Sequence, residues 1–440
     1  MSSGCLVRRL AAGSYVLAAL LCAPLLAQTL SEEQKQLNLQ SFEQVWTTIR
    51  DKHWDPKPGG LDWQAVHEEF RPRMERAQSM NDARAAMREM LGRLHQTHFA
   101  IFPSTVIEDA DETAGPASPG FEVRVLDARA IVTEVDPDSA AARAGVKPGW
   151  EVVSAEDHDF PVLIKRLQSD PAVHELQLER VVESRISGQP GDTRRYTFSP
   201  APGAPALTRH LMLARPRGEM AGFGNLPPMP VRFETRRIGA TSYIRLNLFL
   251  DLVRVIGEFG DTVSSCTPHL TGCDGLVIDL RGNPGGIGAM AMGMAGWLVD
   301  SKDGIADQRL GTMQMRDASL KFFINPRTPL FSGPVAVLID GSSASTSEIL
   351  AGGLQDLHRA RVFGTKSAAA ALPSVITRLP NGDGFQYAVA NYISEGGRAL
   401  EGNGVTPDQE VKLTRAALLE GRDPVIEAAL NWIRTQKAKK

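Results

Sequence analysis

Apolar residues return at helical spacing over residues 37–100. Phe42, Val45, Trp46 and Ile49 share one face, and a break follows at Asp55-Pro56-Lys57-Pro58-Gly59-Gly60. A second run spans Trp63 to about Met74. A third spans Ala83 to Leu94, with Met87, Met90, Leu91 and Leu94 together, and ends in His95-Gln96-Thr97-His98-Phe99. Residues 104–117 are acidic and hold Gly and Pro, the composition of a linker. The period then changes to two. Phe121, Val123 and Val125 alternate with polar residues, and Ala130–Val135, Glu151–Ser154, Leu176–Val182 and Arg195–Phe198 also read as strands. A short helix is expected at Ser139–Ala144 and a longer one at Phe160–Leu167.

From about residue 206 strands and helices alternate. Thr241–Leu248 predicts a strand and Leu252–Val263 a helix. Two strand–turn–helix units follow. Gly275–Leu280 leads into Gly282-Asn283-Pro284-Gly285-Gly286, and Pro334–Ile339 into Asp340-Gly341-Ser342-Ser343-Ala344-Ser345-Thr346-Ser347-Glu348. Such turns expose reactive groups at one edge of an α/β sheet. The first can offer bare backbone N–H groups. The second can offer a serine hydroxyl at a helix N-terminus, where the dipole favours developing negative charge. Ser345 to Glu348 also fits a capping box, and Gly285-Gly286 also fits a tight turn, so each motif alone has a purely structural reading. Val375–Leu379, the turn Pro380–Gly384 and Phe385–Ile393 predict a hairpin. A last helix is expected from Asp423-Pro424 through Ile433.

Composition changes this picture little. The chain has 440 residues, 42% hydrophobic and 22% charged, with a net charge of −3, which suits several globular units. No basic excess points to nucleic acid, and no histidine or cysteine spacing points to a metal. The N-terminus changes it more. Arg8 and Arg9 precede the apolar stretch Leu10–Leu26, then Ala27-Gln28 and an acidic segment, as in a secretory signal. An uncleaved membrane anchor is the alternative. With residues 1–27 removed, Cys266 and Cys273 remain, and either a disulfide or two buried thiols fits them.

These residues resemble the C-terminal processing (tail-specific) and tricorn-core family of serine peptidases. The resemblance rests on Asp279-Leu280-Arg281-Gly282-Asn283-Pro284-Gly285-Gly286, on Ser343 to Gly352, and on Glu401-Gly402-Asn403-Gly404-Val405-Thr406-Pro407-Asp408. Gly120–Ser154, with Ala144 to Trp150, is similar to a PDZ domain. The resemblance implies an α/β, crotonase-like peptidase core with a helical N-terminal domain and a PDZ-like β-rich domain. The divisions expected are a signal at 1–27, the helical domain at 28–103, the PDZ-like domain at 104–205 and the core at 206–440.

The resemblance places the nucleophile at Ser345, with Ser343 and Ser347 as neighbouring competitors. Processing proteases carry a lysine base where this chain has Ala370, so a lysine dyad is not expected and Lys366 lies off its position. The tricorn-like branch implies His98 as base, Thr97 beside it and Glu401 behind; His95 is the competing histidine. Histidine suits proton transfer near neutral pH, with an ordinary pKa of about 6.5. Gly285 or Gly286 and the Thr346 N–H are the implied oxyanion donors. Gly120 and Phe121 are the implied peptide-binding residues, receiving a peptide end as an added strand. The expectation is an exported, periplasmic or secreted serine endopeptidase acting on peptide or protein substrates, with no metal or organic cofactor. The alternative is an inactive binder of peptides or lipophilic ligands on the same fold.

Overall fold

The structure is a computed structural model that describes residues 30–102, 116–169, 173–222, 228–266, 273–300 and 308–437. The signal segment and most of the expected linker lie outside the described residues. Among those described, no helix is long and apolar enough to cross a membrane.

Three helices, Glu32–Lys52, Trp63–Glu75 and Met80–Gly92, open the fold where the apolar spacing puts them. Ser31, Asp62 and Ser79 cap them, each accepting first-turn N–H groups. Phe42, Ile49, Phe70, Met87 and Met90 are buried between them. Burial of each such side chain is worth about 1.5–3 kcal/mol. Trp46 and Trp63 donate their indole N–H groups to each other's carbonyls at 2.9 and 3.0 Å, which sets the register of the first two helices. The chain then forms strand Ala100–Phe102, which pairs antiparallel with Gly384–Ala388. Leu379, Phe385 and Tyr387 complete the helical core, so these helices are bound to the distant hairpin.

Next comes an antiparallel sheet in the order Phe121–Leu126, Arg129–Val135, Glu151–Ala155, Thr193–Ser199, Leu207–Met212. It continues past the expected division at 205/206. Helices Phe160–Gln168 and Glu175–Ile186 cover it. The expected strand Leu176–Val182 is therefore a helix. Its alternation was too short to fix the period: Leu178, Val182 and Ile186 bury at intervals of four, and Gln177 accepts the His174 N–H at 3.2 Å as a cap.

The third part is a six-stranded sheet in the order Phe233–Ile238, Thr241–Leu246, Gly275–Asp279, Val335–Ile339, Ala360–Gly364, Gln409–Glu410. All pairs after the first are parallel. Helices Leu252–Ser265, Gly288–Ala295 and Thr346–Asp356 bury one face, and Pro424–Lys437 covers the other. A separate antiparallel sheet joins Ser319–Phe323, Arg309–Gln314 and Asn391–Ser394. The expected second hairpin arm, Phe385–Ile393, is thus two strands in two sheets. It breaks at Val389-Ala390 because its halves bury against different cores. Cys266 and Cys273 are joined by a disulfide.

Candidate active site

Both glycine- and serine-rich turns leave the carboxyl ends of neighbouring parallel strands, Gly275–Asp279 and Val335–Ile339. They are sewn together. Asp340 accepts the Gly282 N–H at 2.8 Å, and the Ala344 N–H reaches the Asn283 carbonyl at 3.0 Å. The Thr346 hydroxyl donates to the Gly286 carbonyl at 2.9 Å. Ser343 donates to the Leu280 carbonyl at 2.8 Å, and Ser347 to the Asn283 carbonyl at 2.9 Å. Both of these serines are fully buried in structural bonds.

Ser345 differs from both. It is partly exposed and sits at the head of helix Thr346–Asp356 with φ 53° and ψ −114°. A positive φ at a serine is strained, and such strain collects where a side chain must be aimed. Its N–H is held by the Ala370 carbonyl and by Glu348, both at 2.9 Å.

Gly285 faces it. A Cβ at Gly285 would stand 2.7 Å from Ser345 Cβ, 2.8 Å from the Ala344 carbonyl and 2.9 Å from Thr346 N. With φ +101° as well, only glycine leaves that space open. The Gly285 N–H is already donated to Asn283 Oδ1 at 2.9 Å. The N–H groups of Gly286 and Thr346 donate to none of the described residues, and Gly286 is exposed. Asn283 was missed in the sequence as a separate element. It is fully buried, ties the glycine turn to the Leu246 carbonyl at 2.8 Å, and supports Ala344 and Ser347.

On the other side lie Thr97, His98 and Glu401, which the fold brings together from positions 304 residues apart. Glu401 accepts the Thr97 N–H at 2.7 Å and its hydroxyl at 2.9 Å. The Thr97 oxygen lies 2.6 Å from His98 Nδ1. Because the hydroxyl hydrogen goes to Glu401, the hydrogen-bond pattern assigns a proton to Nδ1 and a free lone pair to Nε2. Glu401 also accepts the Ala371 N–H at 3.0 Å. The neighbouring residue, Ala370, holds Ser345. Consecutive Cα atoms are about 3.8 Å apart, so one short segment carries both halves of the site. Arg398, the other candidate partner for Glu401, pairs with Asp356 instead at 2.6 Å. His95 and Lys366 are exposed, and Ala370 is buried beside Ser345.

Burial, and then the charge of Arg180, push His98 down to about 4, well below the ordinary value expected from sequence. Burial raises Glu401, against the N–H groups of Thr97 and Ala371. Arg180 belongs to helix Glu175–Ile186, and nothing in its local sequence marked it. That helix docks on the serine turn. Glu179 accepts the Ser342 hydroxyl and the Val125 N–H, and Arg124 reaches Asp340 at 3.4 Å. A cavity of about 280 Å³ lies between the helix and the glycine turn, lined by Glu179, Arg180, Leu248, Gly282, Pro284 and Ser342. The Gly120 N–H is held by Ser118 Oγ at 2.9 Å, and Phe121 is buried against Tyr196 and Phe198. Among the described residues no cluster of three or more His, Cys, Asp or Glu side chains is arranged to hold a metal.

A serine at a strained strand-to-helix turn, beside a glycine turn on an α/β sheet, is an arrangement that suits acyl transfer by a serine. Residues 240–411 match peptidase family S41, and residues 35–92 match the tricorn protease C1 domain. The chain therefore carries a peptidase S41 domain and a tricorn C1 domain and is a serine endopeptidase. It is 27% identical over 409 residues to the chloroplastic C-terminal processing peptidase of Tetradesmus obliquus, covering 88% of this chain and 79% of the relative. It is 25% identical to the carboxyl-terminal-processing protease of Synechocystis, covering 92% and 88%. The fold is similar to that of a photosystem II D1 C-terminal processing protease, with a TM-score of 0.57 and 21% identity over 90% of this chain and 99% of the other.

Proposed function

We propose that Ser345 is the nucleophile and His98 its general base, oriented by Thr97 and Glu401. The observation that carries this reading is the hydrogen-bonded series Glu401–Thr97–His98, anchored through Ala371 one residue from the carbonyl that holds Ser345. Nε2 takes the serine proton as Oγ attacks a peptide carbonyl, then delivers it to the leaving amine. Water deacylates the enzyme by the same route in reverse. The Gly286 and Thr346 N–H groups receive the oxyanion, since Gly285 spends its own on Asn283. Exposing wild type, Ser345→Ala and His98→Ala to a serine-reactive phosphonate tests this. Wild type alone should label; labelling of Ser345→Ala refutes the assignment.

We further propose protein or peptide substrates presented by the carboxyl terminus, in keeping with the names of the relatives. The second unit is read as PDZ-like. Its outer strand, Phe121–Leu126, is where a peptide adds, displacing Glu179 from Val125. Export follows from the signal pattern at Arg8–Ala27. Finding the mature protein in the cytoplasm, with its N-terminus intact, refutes export.

A further inference from the structure

We propose that Glu348 is a positioning residue whose carboxylate fixes the distance between the nucleophile and base halves of the site. This rests on the serine–histidine reading above. Glu348 is fully buried one helical turn after Ser345. Its two oxygens accept the N–H groups of Ser345 at 2.9 Å, Ala369 at 2.9 Å and Ala370 at 3.1 Å, and the Ser367 hydroxyl at 2.6 Å. A helix cap needs one such bond. Here three of the four run to residues 367–370, a loop remote from the helix.

The bonding pattern makes that loop a spacer. Ala369 and Ala370 are held by Glu348, and Ala371 by Glu401. Two carboxylates thus grip three successive N–H groups, one from the serine side and one from the histidine side. The Ala370 carbonyl returns to Ser345, and the Ala369 carbonyl accepts the Gly402 N–H at 2.9 Å, next to Glu401. The distance from nucleophile to base is set across this segment. A misplacement of about 1 Å in a catalytic geometry can cost on the order of 100-fold in rate.

Among the described residues no cation pairs with Glu348. The helix Gly288–Ala295 packed beside it has no titratable side chain. Arg309 pairs with Glu395, and Asp356 with Arg398. Arg361 lies over Phe363 and Trp432, and Tyr392 is buried. Glu401 and His98 stand across the spacer, and Lys366 is exposed on the loop. Three of the donors are backbone N–H groups, which hold an ionised carboxylate more strongly than a neutral acid. Burial opposes them and pushes Glu348 up to about 7. His98 is held near 4, so its charging does not limit activity around neutrality. Loss of the Glu348 charge does.

The test is kcat and KM on one small ester from pH 4.5 to 9, using the full chain. Wild-type kcat should fall on acidification through about pH 7. Glu348→Gln should lose about 100-fold in kcat with KM nearly unchanged, and lack that acidic limb. Ser367→Ala removes one donor, so its acidic limb should move to higher pH; it serves also if Glu348→Gln does not fold. Wild-type kcat in Glu348→Gln, or an unmoved limb in Ser367→Ala, overturns the proposal. Ser345→Ala and His98→Ala are measured alongside. If either turns over at the wild-type rate, the serine–histidine reading falls and this inference with it. If both are dead while Glu348→Gln is fully active, only the positioning role falls.

Discussion

The proposed nucleophile and base halves of the site are built in opposite ways. The nucleophile half comes from two turns on adjacent parallel strands, joined by backbone and side-chain bonds among residues 280–286 and 340–348. Its parts are close in sequence within each turn, and the core sheet holds them. The base half joins Thr97-His98, Ala371 and Glu401, and so depends on the helical unit being docked on the core. The first half is cross-bonded within itself. The second is only as well placed as that docking. The two halves should therefore be disturbed by different substitutions.

The largest effect should come from the serine. Ser345→Ala should lower kcat by roughly 10⁴-fold or more, as removal of a triad member does. The fold should survive, since losing a cap hydroxyl costs about 1 kcal/mol. Turnover of an ester, with circular dichroism as control, checks both parts. His98→Ala should be nearly as severe, whereas Lys366→Ala should change kcat by less than about threefold, since Lys366 is exposed. An inactive Lys366→Ala with an active His98→Ala would reverse the assignment of the base.

Gly285→Ala tests the nucleophile half from the other turn. Its methyl would enter the space between Ser345 and Thr346, so kcat should fall about 10²–10³-fold. Thermal unfolding should show whether strain at φ +101° adds a stability loss.

The docking of the base half is tested by Arg84→Ala. Arg84 and Asp383 form a buried pair at 2.9 Å between the third helix and the distant hairpin, at side-chain exposures of 11% and 0%. Removing one partner should cost about 3–5 kcal/mol in denaturant unfolding. Turnover and phosphonate labelling of Ser345 should fall together, since both need His98 in place; full turnover in Arg84→Ala would mean that this docking does not place the base.

The smallest expected effect concerns His98 and stability in acid. Its folded value, near 4, lies below the ordinary 6.5, so the unfolded chain binds more protons between those values. His98 therefore contributes stability that is fully present above about pH 6.5 and is lost as pH falls toward 4. In His98→Ala the loss of stability over that window should be shallower than in wild type, read by denaturant titration at fixed pH values.

Local pattern and local chemistry reached far into this protein. The three first helices and the two edge-exposed turns were legible because each depends on spacing or on a motif within about ten residues, whereas Ser345 was singled out from its neighbouring serines by resemblance. The pairing of Thr97-His98 with Glu401 was legible by resemblance alone, because nothing near either segment specifies a partner so far along the chain. What spacing could not decide was left to packing. Leu176–Val182 became a helix because its apolar residues had a sheet to cover at intervals of four, and Phe385–Ile393 divided because its two ends met different cores. Gly285 looked equivalent to Gly286 until Asn283 folded back onto its N–H. The sequence by itself determined which residue types stand at the two turns and in the segments around Thr97 and Glu401. The tertiary structure decided which of them are already bound, which are buried and at what pKa they titrate. Those properties depend on neighbours brought in from elsewhere in the chain: Arg180 and burial for His98, the spacer Ala369–Ala371 for Glu348 and Glu401.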